Sequence, residues 1–284
     1  MKNQSAFLIL LAAMLWGTTG TAQTFAPKEA SPIVIGAVRI AIGGPALLLL
    51  AYGQKKMGWN DWHAASVMAA AIGVALFQPF FFSAVQAAGV ALGTVVAIGS
   101  APIIAGLLEW IFLKKWPERY WWLATLSAIA GCMLLLLTGN NSSASASGIL
   151  FALGAGFSFA MYTLMTKNLL EKHHPEAVMG VVFTLGAVLL TPVFILFPAV
   201  PLLSLTGIGV SVYLGLFATA FAYLLFSRGL VGVPASTAIT LSLAEPLTAA
   251  LLGVLVVGET LTMTAWLGVL LLFIGLGILS FQRA

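Results

Sequence analysis

Charge is what this sequence has least of. Of 284 residues, 12 are Lys or Arg and 8 are Asp or Glu, 7% in all, against roughly a quarter in soluble domains. That excludes a soluble globular fold, a nucleic-acid binder and a disordered chain. There is a single cysteine, Cys132, inside an apolar run. It excludes an internal disulfide and reads as a small buried hydrophobe. The single aspartate, Asp61, and the histidines His63, His173 and His174 fall between apolar runs. No paired-aspartate protease, Ser/His pair, haem ligand or metal cluster is therefore expected within the membrane. No phosphate-binding glycine loop and no lysine inside a span is found, so neither ATP hydrolysis nor a retinal-type Schiff base is expected. The chain reads as neither an enzyme nor a cofactor protein.

What is abundant is apolar surface. Hydrophobic residues make up 61% of the chain and there are 29 glycines; a membrane helix takes about 20 such positions, which leaves room for about ten spans. Charges, prolines and polar clusters place them near 5–25, 33–52, 64–86, 91–113, 120–138, 148–166, 177–197, 205–227, 234–257 and 262–282. In lipid only helices or closed barrels satisfy the backbone, and the runs lack the alternation of barrel strands. The first run has no convincing cleavage site, so it reads as a retained span rather than a signal peptide.

Basic residues fall on alternate connections. One side receives Lys2, Lys55, Lys56, Lys114, Lys115, Arg119, Lys167, Lys172, Arg228 and Arg283, and the other only Lys28. This bias puts both termini in the cytoplasm of a prokaryotic cell, in its inner membrane. The uncharged stretch 139–147 becomes an external linker between a first repeat, 1–138, and a second, 148–284. Basic residues that set topology carry no implication of nucleic-acid binding.

The halves repeat. A shift of 144 sets Phe82-Ser83 on Phe226-Ser227, Pro102 on Pro246, Trp122-Leu123 on Trp266-Leu267 and Gly131 on Gly275; a shift of 143 sets Pro32 on Pro175 and Trp16 on Phe159. Five spans per half is an odd number, so the second half enters from the opposite side. The expected fold is all-α, ten transmembrane helices as two inverted five-helix repeats, an architecture of transporters with a midplane site.

These features resemble the drug/metabolite transporter superfamily and its ten-helix EamA-type exporters, which include the aromatic amino acid exporter. The resemblance rests on Trp16-Gly17 in the first span, Arg39 in the second, Glu245-Pro246 in the ninth and Gly258-Glu259 before the tenth. It implies export of amino acids, metabolites or drugs. Members that carry nucleotide sugars or triose phosphates place basic residues in the later spans, which this chain does not.

Three charges fall inside spans, and burial in lipid costs each at least about 2.5–3.5 kcal/mol. Glu109, near the basic side, reads as a carboxylate snorkelling toward Lys114 and Lys115. Arg39, about six residues or roughly 9 Å inside the outer end of its span, serves either helix termini or a substrate carboxylate. Glu245 lies mid-span before Pro246, which frees the carbonyl near Ser242; it is either a packing residue, a ligand for a substrate ammonium or a proton site. Trp16, Thr19, Gln23, Gln78, Tyr162, Tyr223 and Ser242 complete the candidate substrate passage, with Trp16 and Tyr162 expected on opposite walls. Gly17, Gly20, Gly36, Gly43, Gly99, Gly253 and Gly275 read as helix-packing contacts.

The sequence thus predicts a secondary transporter exporting amino acids or similar small amphipathic metabolites by alternating access through a central cavity. A drug or toxic-cation exporter is the alternative within the class, and a non-transporting scaffold the one outside it. Expected partners are the lipid bilayer, a small molecule and, as an open alternative, a second copy of the chain.

Overall fold

A computed structural model describes residues 2–136, 145–257 and 260–281. Most of the linker and the Gly258-Glu259 pair lie outside the described residues, as does Arg283. The described chain is a set of long helices: α1 (Asn3–Gln23), α2 (Pro32–Gly53), α3 (Ala64–Ala88), α4 (Val90–Leu113), α5 (Arg119–Leu136), α6 (Ala146–Leu169), α7 (Pro175–Leu196), α8 (Leu205–Leu230), α9 (Ala235–Leu255) and α10 (Met263–Phe281). No strand occurs among the described residues. Nine of these are long and apolar enough to cross a membrane, and α5 supplies the tenth position of the five-plus-five repeat.

The breaks have local causes. Only Gly89 separates α3 from α4, at φ 83°. A side chain disfavours that region, and glycine enters it freely. In α9, Pro246 cannot donate to the Ser242 carbonyl. The helix opens at Ser242-Leu243, and the Glu245 amide takes the freed carbonyl at 2.9 Å. Helix α1 is likewise interrupted at Thr18, whose Oγ1 bonds the Leu15 carbonyl at 2.7 Å. A π-helical stretch, Tyr213–Phe221, widens the middle of α8.

Packing divides the helices into two groups. Helices α1, α2, α8 and α9 form one; α6, α7, α3 and α4 form the other, its repeat-related image. The groups meet along α2·α7 and α4·α9, while α5 and α10 pair beside them. With lipid outside, such contacts rest on close backbone approach rather than on the hydrophobic effect. A Cβ at Gly131 would lie 2.6 Å from the Gly268 carbonyl oxygen, and one at Gly275 would lie 2.6 Å from that of Ala124. The 144-residue shift turns one contact into the other. Between them Ser127 Oγ donates to the Leu271 carbonyl at 3.0 Å, a pair 144 residues apart. Gly131 and Gly275, equivalent in the repeat, thus run in opposite directions past their partners. The two repeats are inverted.

Large apolar side chains cover the outside, among them Phe7, Leu49, Leu123, Ile195 and Phe273. Trp59, Trp110, Trp116 and Tyr120 are exposed near the face that carries Lys55, Lys56, Lys114 and Lys115, at the level where aromatic rings mark a membrane interface. That face is the basic face of the protein.

Candidate functional site

The two groups enclose a central cavity. Its aromatic wall comprises Phe77 of α3, Phe159 and Tyr162 of α6, Phe183 of α7 and Tyr223 of α8; Arg39, Gln78 and Thr219 supply its polar groups. About 10 Å³ is open to a water-sized sphere, room for a single water. Anything larger must part the groups. A wider, open cleft of about 390 Å³ lies away from the basic face, between α1, α8 and α9, lined by Thr18, Thr21, Phe25 and Tyr213. Thr18 Oγ1 and Tyr213 Oη share a hydrogen bond there at 2.7 Å.

Rings join the groups across the centre. Tyr223 lies 4.5 Å from Phe183 and 6.0 Å from Tyr162, and Trp16 lies 4.6 Å from Tyr223 and 6.3 Å from Phe159. Such ring pairs contribute about 0.5–1.5 kcal/mol each beyond area burial. Trp16 packs behind the cavity wall and Tyr162 on it, within one aromatic cluster. Of the expected substrate residues, the cavity brings together Gln78, Tyr162, Tyr223 and Arg39. Thr19, Gln23, Ser242 and Glu245 stand outside its wall. Ser242 is buried and bonds the Ala238 carbonyl at 3.0 Å.

Glu245 is half-buried where α1 crosses α9, its own carbonyl oxygen 2.8 Å from the Cβ position of Gly17. Arg39 lines the cavity with Tyr223, and Glu245 does not. They form no salt bridge; among the described residues both ion pairs belong to Glu176.

Polar contacts bind the groups at the basic face. Glu176, in the first turn of α7 and 1% exposed, accepts from Lys56 Nζ at 2.8 Å and from Arg228 Nη2 of α8. Lys167 Nζ of α6 donates to the Leu230 and Val233 carbonyls at 2.9 and 2.6 Å. It lies in the last turn of α6, one residue beyond the expected end of that span. Glu109 of α4 corrects its expected role. It is 6% exposed and does not reach for Lys114 or Lys115; it accepts from the Ala235 amide at 2.6 Å and from Ser236. The first turn of α9 starts after Pro234 with no cap of its own. A carboxylate from the other group fills that place, where orphan N–H groups and the helix dipole favour an anion. The repeat-related positions at the other face are Ile33 for Glu176, Ala84 for Arg228, Thr24 for Lys167 and Gly253 for Glu109. None is charged.

Glycines fit the site closely. A Cβ at Gly36 would sit 2.6 Å from Gln78 Oε1, and one at Gly43 would sit 2.6 Å from Thr219 Cγ2 and 2.8 Å from the Gly215 oxygen. Gly17 and Gly275 are equally tight, whereas Gly20 has open space and Gly99 only ordinary contact, so those two are not close packing points.

Inverted five-helix repeats around a central polar and aromatic cavity define a polytopic membrane protein of transporter architecture. The EamA-like transporter family model matches residues 3–137 and again 146–281. The chain belongs to the EamA family, within the drug/metabolite transporter superfamily. It is 49% identical over 278 residues to the uncharacterized transporter YwfM of Bacillus subtilis (strain 168), covering 98% of this chain and 94% of the relative. It is 27% identical over 260 residues to the threonine/homoserine exporter RhtA of Escherichia coli (strain K12), covering 90% and 84%. A solved crystal structure superposes with a TM-score of 0.82 at 20% identity, covering 96% of each chain; it supports the fold. The protein is a multi-pass membrane transporter.

Proposed function

We propose that this transporter exports amino acids or similar small amphipathic metabolites by alternating access, with its basic face in the cytoplasm of a bacterial inner membrane. The observation that carries the reading is the central cavity itself: an aromatic sleeve between inverted groups whose lining includes one cation, Arg39, with no salt-bridge partner. A zwitterion offers its carboxylate to that cation and its side chain to the rings, and Glu245 of α9, beyond the wall, is the group assigned to its ammonium. The likeness to a threonine/homoserine exporter supports the same substrate class. A cationic drug fits less well, because among the described residues the one charged side chain on the cavity wall is itself a cation.

The form described is closed toward the basic face and narrow at its centre. In the proposed cycle, Glu176, Lys167 and Glu109 release Arg228, the α8–α9 link and the start of α9 when the groups rock apart on that side. Substrate then enters from the cytoplasm, and the contacts re-form as the opposite side opens.

Glu245→Gln separates the roles of the carboxylate, because Gln keeps size and hydrogen bonding but carries no proton. The assay is flux of labelled L-threonine in proteoliposomes with and without a pH gradient, beside equilibrium binding. Weaker binding with gradient dependence intact indicates an ammonium ligand. Lost gradient dependence with exchange retained indicates proton coupling. Wild-type flux and affinity in the variant would overturn the assignment of Glu245 to transport.

A further inference from the structure

Thr219 is out of place as a packing residue. It is fully buried in the π-helical stretch of α8, lines the central cavity, and its hydroxyl has no hydrogen-bond partner. Threonines in membrane helices ordinarily satisfy the hydroxyl on a carbonyl one turn back. Thr163 bonds Phe159, Thr240 bonds Ser236 and Thr248 bonds Ala244 in this way; Thr166, Thr184 and Thr219 have no partner, and of these three Thr219 alone lines the cavity. The Thr219 methyl is seated against Gly43, which fixes the side chain through a contact that any Cβ at position 43 would destroy. A buried hydroxyl left unpaired costs about 1–3 kcal/mol, so its persistence beside a cavity points to a ligand. A π-helical bulge at that point is itself a frequent mark of a functional site.

Arg39 lines the same cavity and makes no salt bridge. Its guanidinium presents a planar fork that suits a two-oxygen anion. One guanidinium with one neutral donor matches a single negative charge; a phosphate dianion would leave charge uncompensated among aromatic rings.

We infer that Arg39 and Thr219 together form a carboxylate subsite, in which the guanidinium holds the two oxygens and the Thr219 hydroxyl donates to one of them. The inference deepens the amino-acid reading, on which it rests for the identity of the substrate, and adds a specificity residue that the sequence did not single out. It also gives the substrate a direction: carboxylate toward α2 and α8.

The test measures binding of three isosteric probes to the purified full-length protein: L-threonine, L-threoninamide, which lacks the carboxylate, and 2,3-dihydroxybutyrate, which lacks the amine. Thr219→Val keeps the methyl against Gly43 and removes the hydroxyl; Thr219→Ser keeps the hydroxyl. The expected result is that Thr219→Val weakens L-threonine and 2,3-dihydroxybutyrate about ten- to hundredfold, the worth of a hydrogen bond to an ionised group. Threoninamide binding stays unchanged, and Thr219→Ser stays near wild type. Binding of 2,3-dihydroxybutyrate with no binding of L-threonine supports the subsite and overturns the amino-acid reading. Equal binding of threonine and threoninamide overturns the subsite and leaves an exporter of amines. An equal effect of Thr219→Val on all three probes, or no effect on any, overturns the subsite, and binding of none of the three overturns both.

Discussion

Removing the charge of Glu176 should open the protein on its basic face. Glu176→Gln keeps the volume and one acceptor oxygen but strips Lys56 and Arg228 of their counter-charge. Breaking a fully buried ion pair by removing one partner costs about 3–5 kcal/mol. Here the carboxylate is 2% exposed, but the Lys56 and Arg228 side chains are 32% and 42% exposed, so both cations regain water and the cost falls to about 1–2 kcal/mol. The loss applies to the closed form alone if the groups separate in the open one. The equilibrium then moves about 5- to 30-fold toward opening, at 1.4 kcal/mol per tenfold. Thr166, fully buried one turn from Tyr162, provides the reporter position. With Cys132 replaced by Ala, a cysteine introduced at Thr166 should react with a maleimide in inside-out vesicles 5- to 30-fold faster in Glu176→Gln than in its parent. Glu176→Asp should fall between them. An unchanged rate in well-folded protein would refute the role of Glu176 as a latch. Equal acceleration from both sides would show general loosening instead.

Gly43→Ala should drive a methyl into Thr219 and the Gly215 carbonyl; overpacking of this kind costs about 1–3 kcal/mol, visible as a lower thermal midpoint together with weaker L-threonine binding. Gly20→Ala, which meets nothing within 4 Å, should leave both within about 0.5 kcal/mol of the parent. For orientation, a cysteine at Ser143 in a Cys132-free background should react with an impermeant reagent from outside intact cells, and labelling only after lysis would reverse the assigned topology. Trp16→Ala and Tyr162→Ala should each lower flux more than folded yield, since both rings belong to the central cluster; parallel loss of yield and flux would make them packing residues.

The helices were readable because lipid simplifies the problem: an apolar run of about 20 residues has one conformation open to it. The repeat was readable because Pro, Gly and Trp mark places where backbone geometry matters. The Gly131 and Gly275 contacts with Gly268 and Ala124 show why those positions match across halves. Sequence was weaker wherever a polar group's partner comes from another helix. Glu109 sits a turn from two lysines, and nothing local indicates that it caps α9 across the group boundary. Glu176 follows Pro175 at a helix start, where an acidic residue is ordinary, so its two cations from distant segments left no trace. The expected boundary of α6 stopped at 166 because Lys167 looked like a loop charge, whereas its ammonium bonds the last carbonyl of α8 and one just beyond it. Thr219 carries no signal at all in an apolar run; its importance lies in a missing hydrogen bond, which only coordinates reveal.

The central claim is that amino acids cross through this cavity. Counterflow in proteoliposomes tests it most directly: vesicles loaded with unlabelled L-threonine and diluted into a trace of labelled L-threonine. The account predicts transient accumulation of label above equilibrium, abolished in Arg39→Gln. Accumulation no greater than in protein-free liposomes, with the reconstituted protein folded and with L-homoserine equally inert, would contradict it.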